Sequence, residues 1–89
     1  MTLIDTVHVK QPNGLHLRAA VKLILLSRKY KSRITLKKGR TLADAQSILG
    51  IMNLGAAHGT ELEVVSEGED AGEALAEVRE FFNHPQSWS

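Results

Sequence analysis

The hydrophobic pattern of the chain switches between a period of two and a period of three to four, and each switch marks an element. Thr6-Val7-His8-Val9-Lys10 alternates polar with apolar, which predicts a half-buried strand with Val7 and Val9 inward. Gln11-Pro12-Asn13-Gly14 breaks it with strong turn chemistry. A helix follows from about His16 to Arg28, with Ala20, Leu23, Ile24 and Ser27 on one face as its buried stripe. Leu17, Val21 and Leu25, spaced by four, form a second apolar stripe. One helix seldom buries two stripes in a small domain. The second therefore reads as a partner-binding surface, with core packing as the competing reading.

Alternation returns at Arg33-Ile34-Thr35-Leu36-Lys37, Lys38-Gly39-Arg40 turns the chain, and Thr41-Leu42-Ala43 comes back as a short edge strand. A second helix is predicted from Ser47 to about Leu54, with Ser47 as N-cap and Gly55 past its end. It is short and carries Gly50 inside, so tertiary packing must hold it. Glu61–Ser66 is the last strand, with Leu62 and Val64 inward. The final helix runs from about Asp70 to Phe82, with Ala71, Ala74, Leu75, Val78, Phe81 and Phe82 inward and its acids in the first turn. Asn83 and Pro85 stop it, and residues 84–89 are expected to form a loose tail. The order β-α-β-β-α-β-α predicts an α+β fold, one mainly antiparallel sheet covered on one face by helices.

Composition narrows the function classes. Eighty-nine residues fill one domain, 1–89. The absence of cysteine excludes disulfides and thiolate chemistry. The first residues lack the basic start and long apolar run of a signal peptide, and the stretch Ala19–Leu26, interrupted by Lys22, is too short to span a bilayer. A cytoplasmic, soluble domain without membrane insertion is the expectation. Net charge is only +1, yet ten of the eleven lysines and arginines lie at or before Arg40 and nine of the ten acids at or after Asp44. Such segregation suits an acidic protein partner or a nucleic acid, or reflects solvated faces that are unmixed. Nucleic acid ranks far behind, because the outward strand positions Thr6, His8, Lys10, Thr35 and Lys37 offer no aromatic to stack on a base. His8, His58 and His84 lack ligand spacing, and Gly55–Gly59 reads as a turn, so neither a metal nor a cofactor is expected.

Chemistry concentrates in Asn13-Gly14-Leu15-His16-Leu17-Arg18-Ala19-Ala20. The order puts one imidazole where a loop becomes a helix, beside unpaired N–H groups and the positive end of the helix dipole. Arg18 adds a permanent charge whose forked donors suit a phosphate. A neutral imidazole beside an anion site can take up a phosphoryl group and pass it on. A capping role for His16 is the plainer alternative.

The wording of that segment resembles the active-site segment of the HPr family, the histidine phosphocarriers of the bacterial phosphotransferase system, whose pattern reads Gly-Leu-His-x-Arg-Pro-Ala. Every fixed position matches except Ala19, which stands where the pattern has proline. The resemblance implies an open-faced β-sandwich of strand order 1-4-2-3, phosphorylation of His16 at Nδ1, and an Arg18 that solvates the phosphate, with Asn13 and Gly14 shaping the turn. It implies enzyme I as donor, enzyme IIA-type proteins as acceptors, and a stoichiometric, monomeric carrier rather than a turnover enzyme. Ser47-Ile48-Leu49-Gly50-Ile51-Met52 matches the family's second region in register. There the resemblance implies a docking patch that includes Ile48 and Met52, and a regulatory phosphorylation of Ser47 by a dedicated kinase. The alternative function is a regulatory binding module acting on a transcription factor or kinase, controlled through Ser47. Which branch of the system the chain serves, carbon or nitrogen, stays open.

Overall fold

The computed structural model describes residues 1–85, so the expected tail lies, for residues 86–89, outside the described residues. The elements are β1 (Thr2–His8), α1 (Leu17–Ser27), β2 (Arg33–Lys38), β3 (Thr41–Asp44), α2 (Ile48–Asn53), β4 (Glu61–Glu67) and α3 (Ala71–Asn83). The four strands form one antiparallel sheet in the order β1-β4-β2-β3. Register explains its two unlike faces. Val7 pairs with Leu62, Leu36 with both Val64 and Ala43, and Ile34 with Ser66, all buried against the helices. The alternate positions bring Thr6, Glu63, Lys37 and Leu42 side by side on the other face, where each is exposed or half-buried. The sheet is open on that side.

Two strand boundaries differ from the sequence reading, for one reason. The first strand starts at Thr2 rather than Thr6 and ends at His8. At two positions the expected polarity is reversed: Ile4 points outward at 59% exposure, while Asp5 lies on the helix side, beside the core-packed Leu3. Asp5 can sit there because Arg79 of α3 meets its carboxylate at 2.8 Å. Val9 is fully buried as expected but lies beyond the strand, exchanging backbone hydrogen bonds with Thr60 and Gly59 at 2.9 and 2.7 Å.

The helices follow their predicted faces. Ala20, Leu23, Ile24 and Ser27 of α1 are buried, as are Ala71, Ala74, Leu75, Val78, Phe81 and Phe82 of α3. Phe81 and Phe82 meet edge to face, centroids 5.1 Å apart, at the core end of α3. In α2 the Ser47 side chain accepts the Gly50 N–H at 3.0 Å, and the Lys38 ammonium donates to the terminal carbonyls of Leu54 and Gly55 at 3.0 and 3.2 Å. A six-residue helix is thus closed at both ends by side chains.

Asp70, expected in the first turn of the last helix, stands just before it. It makes no side-chain cap; its carboxylate accepts the N–H groups of Lys31 and Ser32 at 2.9 and 2.8 Å and the Ser32 hydroxyl. These donors, the Ser32 hydroxyl foremost, hold the Asp70 carboxyl below its usual range. Nearby, Glu77 accepts from Lys29 and Tyr30. Burial raises its carboxyl, but the Lys29 and Tyr30 hydrogen bonds outweigh burial and leave it lowered. The same hydrogen bond to Glu77, with burial and the neighbouring acids, pushes the Tyr30 phenol up to about 12. Two acids of the last helix region therefore clamp the loop between α1 and β2.

Candidate functional site

The loop from β1 to α1 is fixed before it reaches His16. The Gly14 N–H donates to the Gln11 carbonyl at 2.9 Å, closing the turn predicted from Gln-Pro-Asn-Gly. Gly14 adopts φ +74°, and a Cβ there would stand 2.6 Å from the Ala56 carbonyl oxygen. That oxygen accepts the Leu15 N–H at 2.9 Å, and Leu15 is buried in the core. The chain is pinned on both sides one residue before the imidazole.

His16 is the N-cap of α1, in extended conformation at φ −78°, ψ 180°. Its Nδ1 accepts the Arg18 N–H at 3.2 Å, and its carbonyl accepts the first helical bond from Ala20 at 2.9 Å. The N–H groups of Leu17 and Ala19 have no hydrogen-bond partner among the described residues. Nδ1 thus caps the first turn of an eleven-residue helix through Arg18, the residue between those two free donors. Its acceptor role also means that the ring proton of the neutral imidazole sits on Nε2. His16 borders a pocket of about 250 Å³ with Gln11, Pro12, Asn13, Arg18, Ala19, Lys22, Phe81 and Pro85. Capping and chemistry were alternatives in the sequence; in the structure the cap is what aims Nδ1.

The remaining residues divide. Leu17 and Leu25 are each 57% exposed and Val21 is exposed, so the second stripe of α1 stays out of the core. Met52 is exposed on α2, which packs against α1, but Ile48 is half-buried against the core. Leu49, 74% exposed, is the most open apolar side chain of α2, and the sequence reading passed over it. Its signal was the pattern itself, since Ile51 and Leu54 claim the inner face and leave Leu49 opposite. Ser47 is half-buried with its hydroxyl engaged in the α2 cap. Gln11 was read only as part of a turn; the structure buries it in the wall of the His16 pocket.

Among the described residues no helix is long and apolar enough to cross a membrane, and no cluster of three His, Asp or Glu side chains could hold a metal ion.

Residues 4–84 match the family model described as the PTS HPr component phosphorylation site. The chain is 34% identical over 84 residues to the phosphocarrier protein NPr of Klebsiella oxytoca, covering 93% of each. It is 42% identical over 72 residues to the phosphocarrier protein HPr of Xylella fastidiosa, covering 80% of each. The crystal structure of HPr from Bacillus anthracis superposes with a TM-score of 0.87 at 30% identity, over 91% of this chain and 96% of that one. The sheet order and the three helices are those of that fold. The chain belongs to the HPr family of phosphocarriers of the phosphotransferase system.

Proposed function

We propose that His16 is the phosphoryl acceptor of this carrier, loaded by an enzyme I and discharged to enzyme IIA-type proteins. The observation that carries the reading is the placement of Nδ1, which accepts the Arg18 N–H in the first turn of α1, next in sequence to the free N–H groups of Leu17 and Ala19. In the neutral tautomer Nδ1 holds the lone pair. As it attacks phosphorus an N–P bond forms, the bond from phosphorus to the donor breaks, and its electron pair leaves with the donor. The Arg18 N–H then passes from the nitrogen to a phosphoryl oxygen, and the free N–H groups of Leu17 and Ala19 donate to the others. The exposed Arg18 guanidinium adds charge without burying the group. A phosphoryl group held this way stays accessible, as a carrier requires.

Ala19 keeps the chemistry intact. It supplies one N–H where the family pattern has proline, and that N–H takes part in no helical bond. Leu17, Val21, Leu25 and Met52 supply exposed apolar surface for docking, with Ile48 as its half-buried support. Ser47 is the regulatory site on this reading: a phosphate there replaces a neutral cap at the start of α2 with a dianion beside that surface.

Incubation with purified enzyme I and phosphoenolpyruvate, followed by intact-mass analysis before and after mild acid, tests the reading. One acid-labile phosphate, absent in His16→Ala, is the expected result. A folded chain that neither branch's enzyme I labels would overturn it and leave the regulatory module controlled through Ser47.

A further inference from the structure

The loop that carries His16 rests on the chain that leaves α2. Leu15 donates its N–H to the Ala56 carbonyl at 2.9 Å, and a Cβ on Gly14 would stand 3.0 Å from the Ala57 Cα. Residues 54–57 are therefore the seat of that loop, and a seat positions only as well as it is itself fixed. The element before it is a weak anchor. α2 has six residues, carries Gly50 inside and buries Ile51 alone. A helix so short does not hold its own end.

Burial of the Leu54 and Ala56 side chains sets the depth of the segment, but the direction of its peptide planes is left to hydrogen bonds. Gly55, at φ +58°, turns the chain out of the helix, and among the described residues no backbone N–H reaches the carbonyls of Leu54 or Gly55. Lys38, the last residue of β2, supplies the donor. Its ammonium reaches those carbonyls at 3.0 and 3.2 Å, gripping the two peptide units immediately before Ala56. Lys38 forms no ion pair with an acid among the described residues, so this grip is its engagement. We propose that Lys38 is a positioning residue for His16: by holding the Leu54 and Gly55 carbonyls it orients the Ala56 carbonyl that receives Leu15, one residue before the imidazole.

A half-buried ammonium suits the task, because one cation serves two acceptors without being fully desolvated. Where it is removed, water can take up the freed carbonyls, so the fold survives while the seat loses its fixed point. The same grip holds the end of α2, whose Leu49 and Met52 are exposed, so His16 and that surface share one anchor. The role in transfer rests on the reading of His16 given above, while the support of the loop does not.

Two variants separate positioning from a general loss of stability. Lys38→Met keeps the side-chain length and removes the donor, whereas Lys38→Arg keeps a cationic donor. Amide hydrogen exchange, read by nitrogen-15 NMR of the unphosphorylated chain, compares the Leu15 N–H with the Ala74 N–H, which donates to the Asp70 carbonyl at the start of α3. The expected result is Leu15 exchange faster by about tenfold in Lys38→Met and close to the parent in Lys38→Arg, the effect of one charge-assisted hydrogen bond, with Ala74 unchanged in both. Phosphorylation by enzyme I should slow by about threefold to tenfold in Lys38→Met through kcat, and recover in Lys38→Arg, as a small misplacement of the nucleophile predicts. Unchanged Leu15 exchange in Lys38→Met, equal acceleration of Leu15 and Ala74, no recovery in Lys38→Arg, or a loss confined to KM would overturn the proposal. If Leu15 exchanges as expected but the parent chain takes no phosphate from enzyme I, the support of the loop stands and the carrier reading falls.

Discussion

On the proposed function, the His16 side chain does two jobs that a single substitution can separate. Removing the ring removes the cap and, on that reading, the nucleophile. The cap should cost about 1 kcal/mol, the usual loss when an N-cap acceptor is replaced by alanine. His16→Asn restores an oxygen acceptor for the Arg18 N–H but supplies no nitrogen nucleophile. We therefore expect His16→Asn to melt within a few degrees of the parent chain while taking up no phosphate in the intact-mass assay. Ala19 offers the converse case. Its N–H precedes the first helical bond, so Ala19→Pro removes nothing the helix uses and should leave stability unchanged or raised, by up to about 1 kcal/mol, read from melting curves. Phosphorylation kinetics of that variant measure what the extra donor contributes. His16, Arg18 and Ala19 were legible because their roles are local: turn, cap and first helical turn lie within a few residues. Gln11 was not, because its burial depends on Phe81, seventy positions away.

The predicted elements held where the local pattern agreed with the fold, and the departures occur where tertiary contacts overrule it. Asp5 on the helix side of β1 is polar by sequence but satisfied by Arg79, so alternation alone could not find the start of the strand. Asp70 has the composition of a helix cap but serves the α1–β2 loop. That clamp carries a pH signature. Asp70 and Glu77 both have folded-state values held below their unfolded ones, so their stabilisation is full above the unfolded values, about 4, and is lost as pH falls through the folded values. Thermal midpoints should therefore drop below about pH 4, and Asp70→Asn should flatten that limb while lowering the neutral-pH midpoint. The Tyr30 phenol, raised from 10.0 to about 12, acts at the other end. The contribution of its bond to Glu77 is present below pH 10.0 and is lost between there and about 12. Tyr30→Phe should remove that alkaline loss, which a pH series of melting curves will show.

Across the whole molecule, the charge segregation seen in the sequence survives on one face only. Arg18, Lys22 and Arg28 flank the exposed stripe Leu17, Val21 and Leu25, whereas on the open side of the sheet Glu63 and Glu67 stand opposite Lys37 and Arg33. A net charge of only +1 therefore hides a basic pole at α1 beside a sheet face of mixed sign. On the proposed function, an acidic partner is steered to α1 before any apolar contact forms. The two kinds of residue should then fail differently. Exposed charges act through a field that salt screens within about 8 Å at physiological ionic strength, so they govern the rate of encounter. Buried apolar contacts resist salt and govern how long the complex lasts. On the proposed function, Arg28→Glu should lower the association rate with enzyme I at low salt, with the difference from the parent chain closing as salt rises. Leu25→Ser should instead speed dissociation at every salt concentration, by roughly tenfold to a hundredfold if the leucine is fully covered in the complex, since its burial is worth about 1.5–3 kcal/mol. Stopped-flow or surface-binding kinetics over a salt series distinguishes the two. If Arg28→Glu changed only the dissociation rate, the charged pole would be part of the contact itself rather than a guide to it.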